Sequence, residues 1–459
     1  MTSTISHTRR FEVLIVAITL LFAGLASASA SANLPRHAVL GAGVAENNGV
    51  RVILIKPGSA ADRGGLQVGD VIVSVDSVKI QTSSEFVSRV KGLTTRHSVD
   101  FQIRRGNAEL SLPVKLDAAA DENDPLVRTL YQTISVDQTL RRTLVTIPSQ
   151  AYGRRPAVLI LGGIGCFSID NASDPQDSYM RLAHDLGKRG FVAMRLEKSG
   201  VGDSQGAPCI TVDFQSEIHS YEVALEALQH DPHVDRRRIY LLGHSIGTLI
   251  APRLANMRGA AGIIVAEGVG RNWIEYELSN LRRQLDLGGE PPAQVDAKLI
   301  AKEICMHRLL VEKEAETEIE RTQPECREHN SYPASASYMQ EVAALNIAEP
   351  WTKFSGPLLA IYGTGDFVTT HDDHRRIVDI VNTLHPGSAT LMLIEGMDHH
   401  LDVAGTQQQA YDLRVKQQSS GPYDEALSHA VLDWLCQREN CIATVGSGAT
   451  RNLISSGHE

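Results

Sequence analysis

The stretch Ile239-Tyr240-Leu241-Leu242-Gly243-His244-Ser245-Ile246-Gly247 decides the fold of this chain. Its four apolar residues predict a short buried strand, and the run 248–255 that follows is compatible with a helix. A G-x-S-x-G pattern between a strand and a helix predicts a nucleophile elbow, a sharp turn that lifts the serine side chain clear of the sheet. We expect glycine on both sides of the turn because a side chain there would collide with the neighbouring strand or helix.

Strands alternate with helices on both sides of this stretch. Helical segments near 179–188, 214–229 and 374–384 separate the apolar segments, a pattern that predicts a parallel sheet with helices on both faces. The other predicted strands of this sheet are 157–161, 191–196, 262–266, 358–362 and 390–394.

Three polar side chains lie at the carboxyl ends of predicted strands, where such sheets place their ligands. Ser245 is the first, Asp366 follows the strand 358–362, and His399 follows the last strand. A serine hydroxyl needs a base, a histidine titrates near neutral pH, and an aspartate fixes the histidine tautomer. The order Ser, Asp, His therefore predicts Ser245 as nucleophile, His399 as base and Asp366 as the orienting acid.

Neighbouring side chains offer an alternative base and an alternative acid, and two further residues are expected to have structural roles. His400 is adjacent to His399 and is the second candidate for the base, while Glu267 also follows a strand and is the second candidate for the acid. His244 occupies the elbow position that usually packs against the sheet. Cys166 lies beside a glycine-rich loop, where a disulfide is favoured over a nucleophilic thiol.

The negative charge that develops during acyl transfer requires backbone N–H donors placed in advance. The N–H of Ile246, next to the serine, is the first candidate. The loop Gly162-Gly163-Ile164-Gly165 follows the strand 157–161 and supplies the second, for which we favour Ile164.

The segment from about 130 to 440 resembles an α/β-hydrolase of the serine aminopeptidase/esterase-like branch. Leu161-Gly162-Gly163-Ile164-Gly165 matches the oxyanion loop of that family. Arg195-Leu196-Glu197-Lys198-Ser199-Gly200-Val201-Gly202-Asp203-Ser204 is similar to its D-x-R-G-x-G-x-S segment, with Glu197 and Ser199 as departures. These departures lie outside the three candidate residues and leave the predicted chemistry unchanged.

The resemblance implies an α/β fold, with an α/β-hydrolase domain over 129–442 and a mostly parallel sheet. Between 270 and 355 the alternation of strands and helices stops, and charged helical segments without strand signals replace it. We therefore expect a helical cap inserted over 270–355.

The block 37–116 is β-rich and resembles a PDZ domain of the bacterial exported type. The residues that carry the resemblance are Pro57-Gly58-Ser59-Ala60-Ala61 and Gly65-Leu66-Gln67-Val68-Gly69-Asp70-Val71-Ile72. The resemblance implies a mainly-β domain over 33–118 that takes a peptide C-terminus as an added strand. The loop Leu40-Gly41-Ala42-Gly43 is expected to hold the peptide carboxylate.

The segment after this block is polar, and the carboxylate loop is less typical of the PDZ family than the core motif. The alanines and four acids between 117 and 124 have nothing to bury, so we expect a linker over 119–128. A PDZ domain that serves only as an internal brace against the enzyme is the alternative to peptide binding.

The N-terminus carries the pattern of a secretory signal peptide over 1–32. Arg9-Arg10 precedes an apolar stretch at 11–25, and Ala26-Ser27-Ala28-Ser29-Ala30-Ser31-Ala32 offers overlapping A-x-A cleavage sites. We expect a periplasmic or secreted protein with no stable membrane insertion after cleavage, although an uncleaved anchor helix is the alternative. The Gly- and Ser-rich tail at 443–459 is expected to be flexible.

In the oxidising compartment that export implies, the six cysteines can pair as disulfides. Nearness along the chain favours Cys436–Cys441 and Cys305–Cys326, which leaves Cys166–Cys209, although six cysteines allow 15 full pairings. No spacing fits a zinc site, and we expect no metal and no cofactor.

Length and charge narrow the possible partners. A chain of 459 residues is long enough for two or three domains, and its net charge of −10 argues against nucleic acid and anionic membrane surfaces as partners.

The combined expectation is an exported serine hydrolase that cleaves carboxylic esters through an acyl-serine, with a small ester or peptide as substrate and a protein C-terminus as possible PDZ partner. A peptidase or amidase is the first alternative, and an inactive hydrolase-fold binding protein is the second.

Overall fold

The N-terminal block is a small, mainly-β domain, as predicted. The computed structural model describes residues 33–93, 98–150, 152–416 and 418–441, so the predicted signal peptide and tail lie outside the described residues. An antiparallel sheet of order β2-β3-β4-β6-β7, with β5 against β4, surrounds a core that includes Val52, Phe86 and Phe101. The elements are β1 (Ala38–Val39), β2 (Ala42–Glu46), β3 (Val50–Ile55), α1 (Ala60–Arg63), β4 (Val71–Val75), β5 (Val78–Lys79), α2 (Ser83–Lys91), β6 (Ser98–Arg105), β7 (Ala108–Lys115) and β8 (Asp117–Ala118).

An eight-stranded, mostly parallel sheet forms the second region and confirms the predicted α/β class. Its order is β16-β15-β14-β13-β11-β12-β10-β9, in which β9 and β10 form an antiparallel hairpin at one edge and the others run parallel. The strands are β9 (Val127–Val136), β10 (Thr139–Pro148), β11 (Arg155–Leu161), β12 (Val192–Leu196), β13 (Val234–His244), β14 (Gly262–Ala266), β15 (Leu358–Gly363) and β16 (Ala389–Ile394).

Helices cover both faces of this sheet because its central strands are apolar on both sides. Leu159 of β11 packs with the helices Phe214–His230 and Gly247–Arg258, whereas Val158 and Ile160 pack with the helices Ser178–Lys188 and Glu425–Glu439. The helices outside the cap are α3 (Ser178–Lys188), α4 (Phe214–His230), α5 (Gly247–Arg258), α12 (His371–Leu384), α13 (Gln407–Val415) and α14 (Glu425–Glu439).

A helical insertion lies between β14 and β15, and no strand forms within residues 270–355, all of which are described. The Cys305–Cys326 disulfide joins two of its helices, and Cys166–Cys209 and Cys436–Cys441 are also bonded, so all three favoured pairings are present. The elements of the helical insertion are α6 (Trp273–Leu287), α7 (Pro292–Met306), a π-helical turn (His307–Val311), α8 (Glu316–Thr322), α9 (Cys326–His329), α10 (Ala336–Ala343) and α11 (Ala348–Lys353).

The expectation that the acids between 117 and 124 have nothing to bury is wrong for Glu122. Its carboxylate is buried and lies 2.8 Å from Arg195 Nη2 and 2.9 Å from His184 Nε2. Arg195 is itself buried on β12 and needs a counter-charge there. Although burial opposes ionisation, the charge of Arg195 and the hydrogen bonds from both partners lower the pKa of Glu122 to about 2.

Ion pairs also attach the segment before β1 to the α/β region. Arg36 Nη1 contacts Asp170 and lies 2.7 Å from Asp203 Oδ2, and the N–H and Nδ1 of His37 each lie 2.7 Å from Asp203 Oδ1. Arg142, buried on β10, completes the cluster with a bond of 2.9 Å to Asp203. The PDZ block is therefore docked on the α/β region through partly exposed cationic groups that meet buried carboxylates. No helix among the described residues is long and apolar enough to cross a membrane.

Candidate active site

The elbow places Ser245 between β13 and α5 in a left-handed backbone conformation, with φ of 53°. Its N–H donates to the Ala266 carbonyl of the next strand at 3.0 Å. A Cβ at Gly243 would lie 2.6 Å from the Gly247 carbonyl oxygen, and one at Gly247 would overlap the Leu161 carbonyl. Both glycines are therefore required by close backbone approach, and the strained serine persists because the surrounding strands hold it.

The structure brings the three predicted side chains together. His399 Nε2 lies 3.0 Å from Ser245 Oγ, and His399 Nδ1 lies 3.0 Å from Asp366 Oδ2. A chain of this geometry fits an imidazole that donates from Nδ1 to the carboxylate and accepts the serine proton at Nε2. The neighbouring His400 is exposed and forms no hydrogen bond with Ser245, both residues being described.

The Asp366 carboxylate is fully buried and held by several donors. Oδ1 accepts the N–H of Val368 at 2.6 Å and the N–H of Thr369 at 3.2 Å, and the Thr369 hydroxyl donates to Oδ2. Burial disfavours the charged form, but the charge and hydrogen bond of His399 outweigh it and hold the pKa of Asp366 well below its usual range. Asp366 is therefore an ionised acceptor for the histidine.

Glu267, the alternative acid, supports Asp366 instead of reaching the histidine. It follows β14, and its Oε1 accepts the Gly363 N–H at 2.6 Å. Burial, together with the charge of Asp366 and a hydrogen bond to it, raises the pKa of Glu267 well above the ordinary value. A neutral carboxylic acid can donate to the neighbouring carboxylate, so the two acids share this site without two negative charges.

Two N–H groups of the glycine-rich loop after β11 are taken by tyrosines. The Gly162 N–H donates to Tyr221 Oη and the Gly163 N–H donates to Tyr179 Oη, each at 3.0 Å. Both tyrosines are buried on helices that pack against the sheet, α4 and α3. Sequence reasoning missed them, because a buried tyrosine on a helix has the pattern of an ordinary core residue.

The two predicted oxyanion donors are left without such partners. Neither the Ile164 N–H nor the Ile246 N–H donates a hydrogen bond within the part of the chain that the structure describes. Ile246 directly follows Ser245 at the start of α5. Gly163, which precedes Ile164, approaches the serine, since a Cβ there would lie 3.4 Å from the Ser245 Cβ. Two unpaired N–H groups on the segments that flank a serine can receive a developing oxyanion.

Comparison with family models identifies both regions. Residues 173–402 match the serine aminopeptidase, S33 model, which covers half of the chain, and residues 38–116 match a PDZ domain model. The chain belongs to the serine aminopeptidase, S33 family. Its PDZ domain precedes the matched hydrolase segment.

Similar proteins include several esterases. Esterase EstD of Thermotoga maritima is 25% identical over 234 residues, which span 50% of this chain and 50% of EstD, so the chain spans about half the length of that relative. Among solved structures, Est1E from Butyrivibrio proteoclasticus has a TM-score of 0.42 at 13% identity, covering 68% of this chain and 99% of Est1E. The Pyrococcus furiosus esterase Pf2001 has a TM-score of 0.40 at 12% identity, covering 68% of this chain and 90% of that one.

His244 of this S33-family chain connects the oxyanion loop to the predicted base. Its Nδ1 lies 2.6 Å from Tyr179 Oη, and its Nε2 lies 2.8 Å from the His399 carbonyl oxygen. Burial and the nearby charge of His399 lower the pKa of His244 to about 3, so it is neutral at pH 7. A neutral ring can accept the Tyr179 proton at Nδ1 and donate to the carbonyl from Nε2. The prediction that this residue is buried against the sheet understated its role.

The PDZ loop Leu40-Gly41-Ala42-Gly43 leads from β1 into β2. The Leu40 carbonyl accepts the Ala61 N–H at 2.8 Å, and the Gly41 carbonyl accepts the Lys56 N–H at 2.9 Å. Gly41 has φ of 76°, a conformation that favours glycine. Among the described residues β2 pairs only with β3, so its other edge is open.

Proposed function

We propose that this protein is an exported serine hydrolase that cleaves carboxylic esters through an acyl-Ser245 intermediate. The observation that carries the proposal is the chain from Ser245 Oγ through the His399 ring to Asp366, each step at 3.0 Å, beside two unpaired N–H groups. An arrangement of this kind activates a serine, orients its base and receives an oxyanion.

In the first half of the reaction, Ser245 Oγ attacks the ester carbonyl carbon while His399 Nε2 accepts the hydroxyl proton. The carbonyl oxygen becomes an oxyanion that accepts hydrogen bonds from the N–H groups of Ile164 and Ile246. Asp366 keeps the imidazolium oriented through Nδ1. The intermediate collapses when the carbon–oxygen bond to the alcohol breaks and His399 gives its proton to that alcohol.

In the second half, a water molecule replaces the departed alcohol. His399 accepts a proton from the water as its oxygen attacks the acyl carbon, and the same two N–H groups bind the new oxyanion. Collapse breaks the bond to Ser245 Oγ, which recovers its proton from His399. The products are a carboxylic acid and the free enzyme.

Fluorophosphonate labelling tests this proposal. We expect the probe to modify the wild-type protein at Ser245 and to leave Ser245→Ala unlabelled. Equal labelling of both proteins, or no labelling of the wild type, would contradict a nucleophilic Ser245 and favour the inactive binding protein.

Ester preference is supported by the similarity to EstD, whereas the family description and the PDZ domain favour the peptidase alternative. A panel of p-nitrophenyl acyl esters and aminoacyl p-nitroanilides distinguishes them. We expect turnover of the esters, and turnover of the anilides alone would reverse the assignment.

We further propose that the open edge of β2 binds a peptide C-terminus, with its carboxylate at the Leu40–Gly43 loop. Titration of the full chain with peptides that carry a free or an amidated C-terminus tests this role, and only the free carboxylate should bind. If neither binds, the buried cluster formed by Arg36, His37 and Asp203 favours the alternative in which the PDZ domain braces the enzyme.

Export is supported by the three disulfides, which persist in oxidising compartments. Fractionation of expressing cells tests it. We expect the mature protein in the periplasm or medium, and retention of the whole pool in the cytoplasm would contradict export.

A further inference from the structure

A largely buried lysine contacts the oxyanion loop. Lys198, in the loop after β12, donates from Nζ to the Gly163 carbonyl oxygen at 2.7 Å. The same Nζ lies 3.0 Å from Glu217 Oε1 of α4, and the lysine side chain is only 10% exposed. Its ammonium is also 5.7 Å from the centre of the Phe167 ring. A charge held this far from water is kept in place by its partners.

The carbonyl that Lys198 binds shares a peptide plane with the Ile164 N–H. The described chain has no cis peptide bond, so the C=O of Gly163 and the N–H of Ile164 point in opposite directions. Holding the carbonyl on the Lys198 side therefore fixes where the Ile164 N–H points. Without that anchor the Gly163–Ile164 plane can rotate, because a glycine imposes little restriction on its backbone.

We propose that Lys198 is a positioning residue that fixes the direction of the Ile164 oxyanion donor, an inference that rests on the proposed function. The bond is charge-assisted, since an ammonium donates to the carbonyl. Such a bond also polarises the peptide group and strengthens the N–H on its other side as a donor. Lys198 thus acts on the oxyanion without touching the substrate.

The cap provides a matched control in Lys302. Its Nζ binds a backbone carbonyl, that of His329, at 2.5 Å, and lies 2.9 Å from Glu277. It lies 4.8 Å from the centre of the Tyr332 ring, and its side chain is likewise 10% exposed. Lys302→Met therefore removes the same kinds of contacts as Lys198→Met, together with a hydrogen bond of 3.3 Å to Tyr332 Oη, and none of these contacts is made to the oxyanion loop.

The experiment compares Lys198→Met, Lys198→Arg and Lys302→Met in the full chain. It measures kcat and KM for p-nitrophenyl acetate, the inhibition constant of an aryl trifluoromethyl ketone, and the thermal midpoint. The ketone accepts Ser245 Oγ at its carbonyl carbon while His399 takes the proton, so its oxygen becomes an oxyanion that reports on the two donors.

Lys198→Met should lower kcat by about 10- to 100-fold and weaken the ketone by a similar factor, with KM changed less than about 3-fold. Lys198→Arg keeps the positive donor and should recover at least about half of the loss on a logarithmic scale. Lys302→Met should lower the thermal midpoint but keep the ratio of ketone affinity to KM.

Three results would overturn the inference. If wild-type protein hydrolyses the ester but Lys198→Met keeps its ketone affinity, the positioning role fails while the proposed function stands. If both methionine variants lose kcat and ketone affinity equally, the effect follows from the loss of any such lysine and not from the position of Lys198. If the wild type neither hydrolyses esters nor reacts with the fluorophosphonate, the proposed function fails and this inference fails with it.

Discussion

The oxyanion loop and the PDZ loop are both glycine-containing turns whose backbone groups are held from within the protein, but their anchors differ. The carbonyls of Leu40 and Gly41 accept backbone N–H groups 21 and 15 residues further along the chain, and the Ser59 hydroxyl adds a longer bond of 3.3 Å to the Gly41 carbonyl. Gly162 and Gly163 are held by the side chains of Tyr221, Tyr179 and Lys198, which come from three other elements. A loop held mainly by backbone groups should tolerate side-chain changes in its neighbours better than a loop held by three side chains.

The largest effect should follow from removing one tyrosine anchor of the oxyanion loop. Tyr221→Phe leaves the buried Gly162 N–H without its acceptor, which costs about 1–3 kcal/mol, and we expect kcat to fall by about 10- to 100-fold as the loop moves. Tyr240→Phe is the control, since it also removes a tyrosine hydrogen bond, the one from Tyr240 of β13 to Glu439, which is not made to the oxyanion loop. Similar kcat values for both variants would contradict the importance of the anchor.

A smaller effect is expected from the disulfide that follows the oxyanion loop. Cys166 lies one residue beyond Gly165, and its bond to Cys209 closes a separation of 43 residues. Replacing both with alanine should lower kcat by about 3- to 10-fold, because the loop loses a covalent restraint. The Cys436–Cys441 pair, replaced in the same way, should leave kcat within about 2-fold, and an equal loss in both double variants would show that the position of the disulfide is irrelevant.

The stability of the protein in acid tests the ion pair of Glu122, which lies in the segment between the PDZ block and the α/β region. Burial opposes ionisation of Glu122, but the Arg195 charge lowers its pKa from 4.5 to about 2, so the folded state favours the ionised form. Its contribution, about 3 kcal/mol, is present above pH 4.5 and is lost as pH falls through about 2. The difference in unfolding free energy between wild type and Glu122→Gln should therefore shrink over this interval, with hydrolysis at pH 7 nearly unchanged.

Chemical denaturation at a series of pH values measures this difference. A gap between wild type and Glu122→Gln that stays constant from pH 7 to pH 2 would show that the carboxylate does not titrate as the ion pair requires.

The smallest effect on hydrolysis is expected from the PDZ loop itself. A Cβ at Gly41 would overlap the Ser59 side chain, whereas Gly58 has a similar φ of 72° and open space around it. Gly41→Ala should lower the thermal midpoint of the PDZ region more than Gly58→Ala does, and both should keep kcat within about 2-fold. If Gly41→Ala alone lowers kcat, the PDZ loop influences the active site, and this result would favour the alternative in which the PDZ domain braces the enzyme.

The comparison also explains what the sequence could predict. The positions of Ser245, Asp366 and His399 follow from a short motif and from the rule that parallel strands end at one edge of the sheet. These are local signals, and the observed distances of 3.0 Å agree with them.

The supporting residues could not be predicted because their signals are not local. Lys198 is separated from Gly163 by 35 residues, and Tyr221 from Gly162 by 59. Glu122 lies in a segment with the composition of a linker. Its buried ion pair could not be predicted because the partner, Arg195, is 73 residues away in the chain. Each is a polar group whose partner is known only once the helices and strands have been placed.

Acid-quenched mass spectrometry during turnover of p-nitrophenyl acetate tests the central claim most directly. We predict that one acetyl group accumulates on the peptide that carries Ser245, and that it is absent from Ser245→Ala, which should also lose turnover. Acetylation of a different residue, or unchanged turnover by Ser245→Ala, would contradict the assignment of Ser245 as the nucleophile.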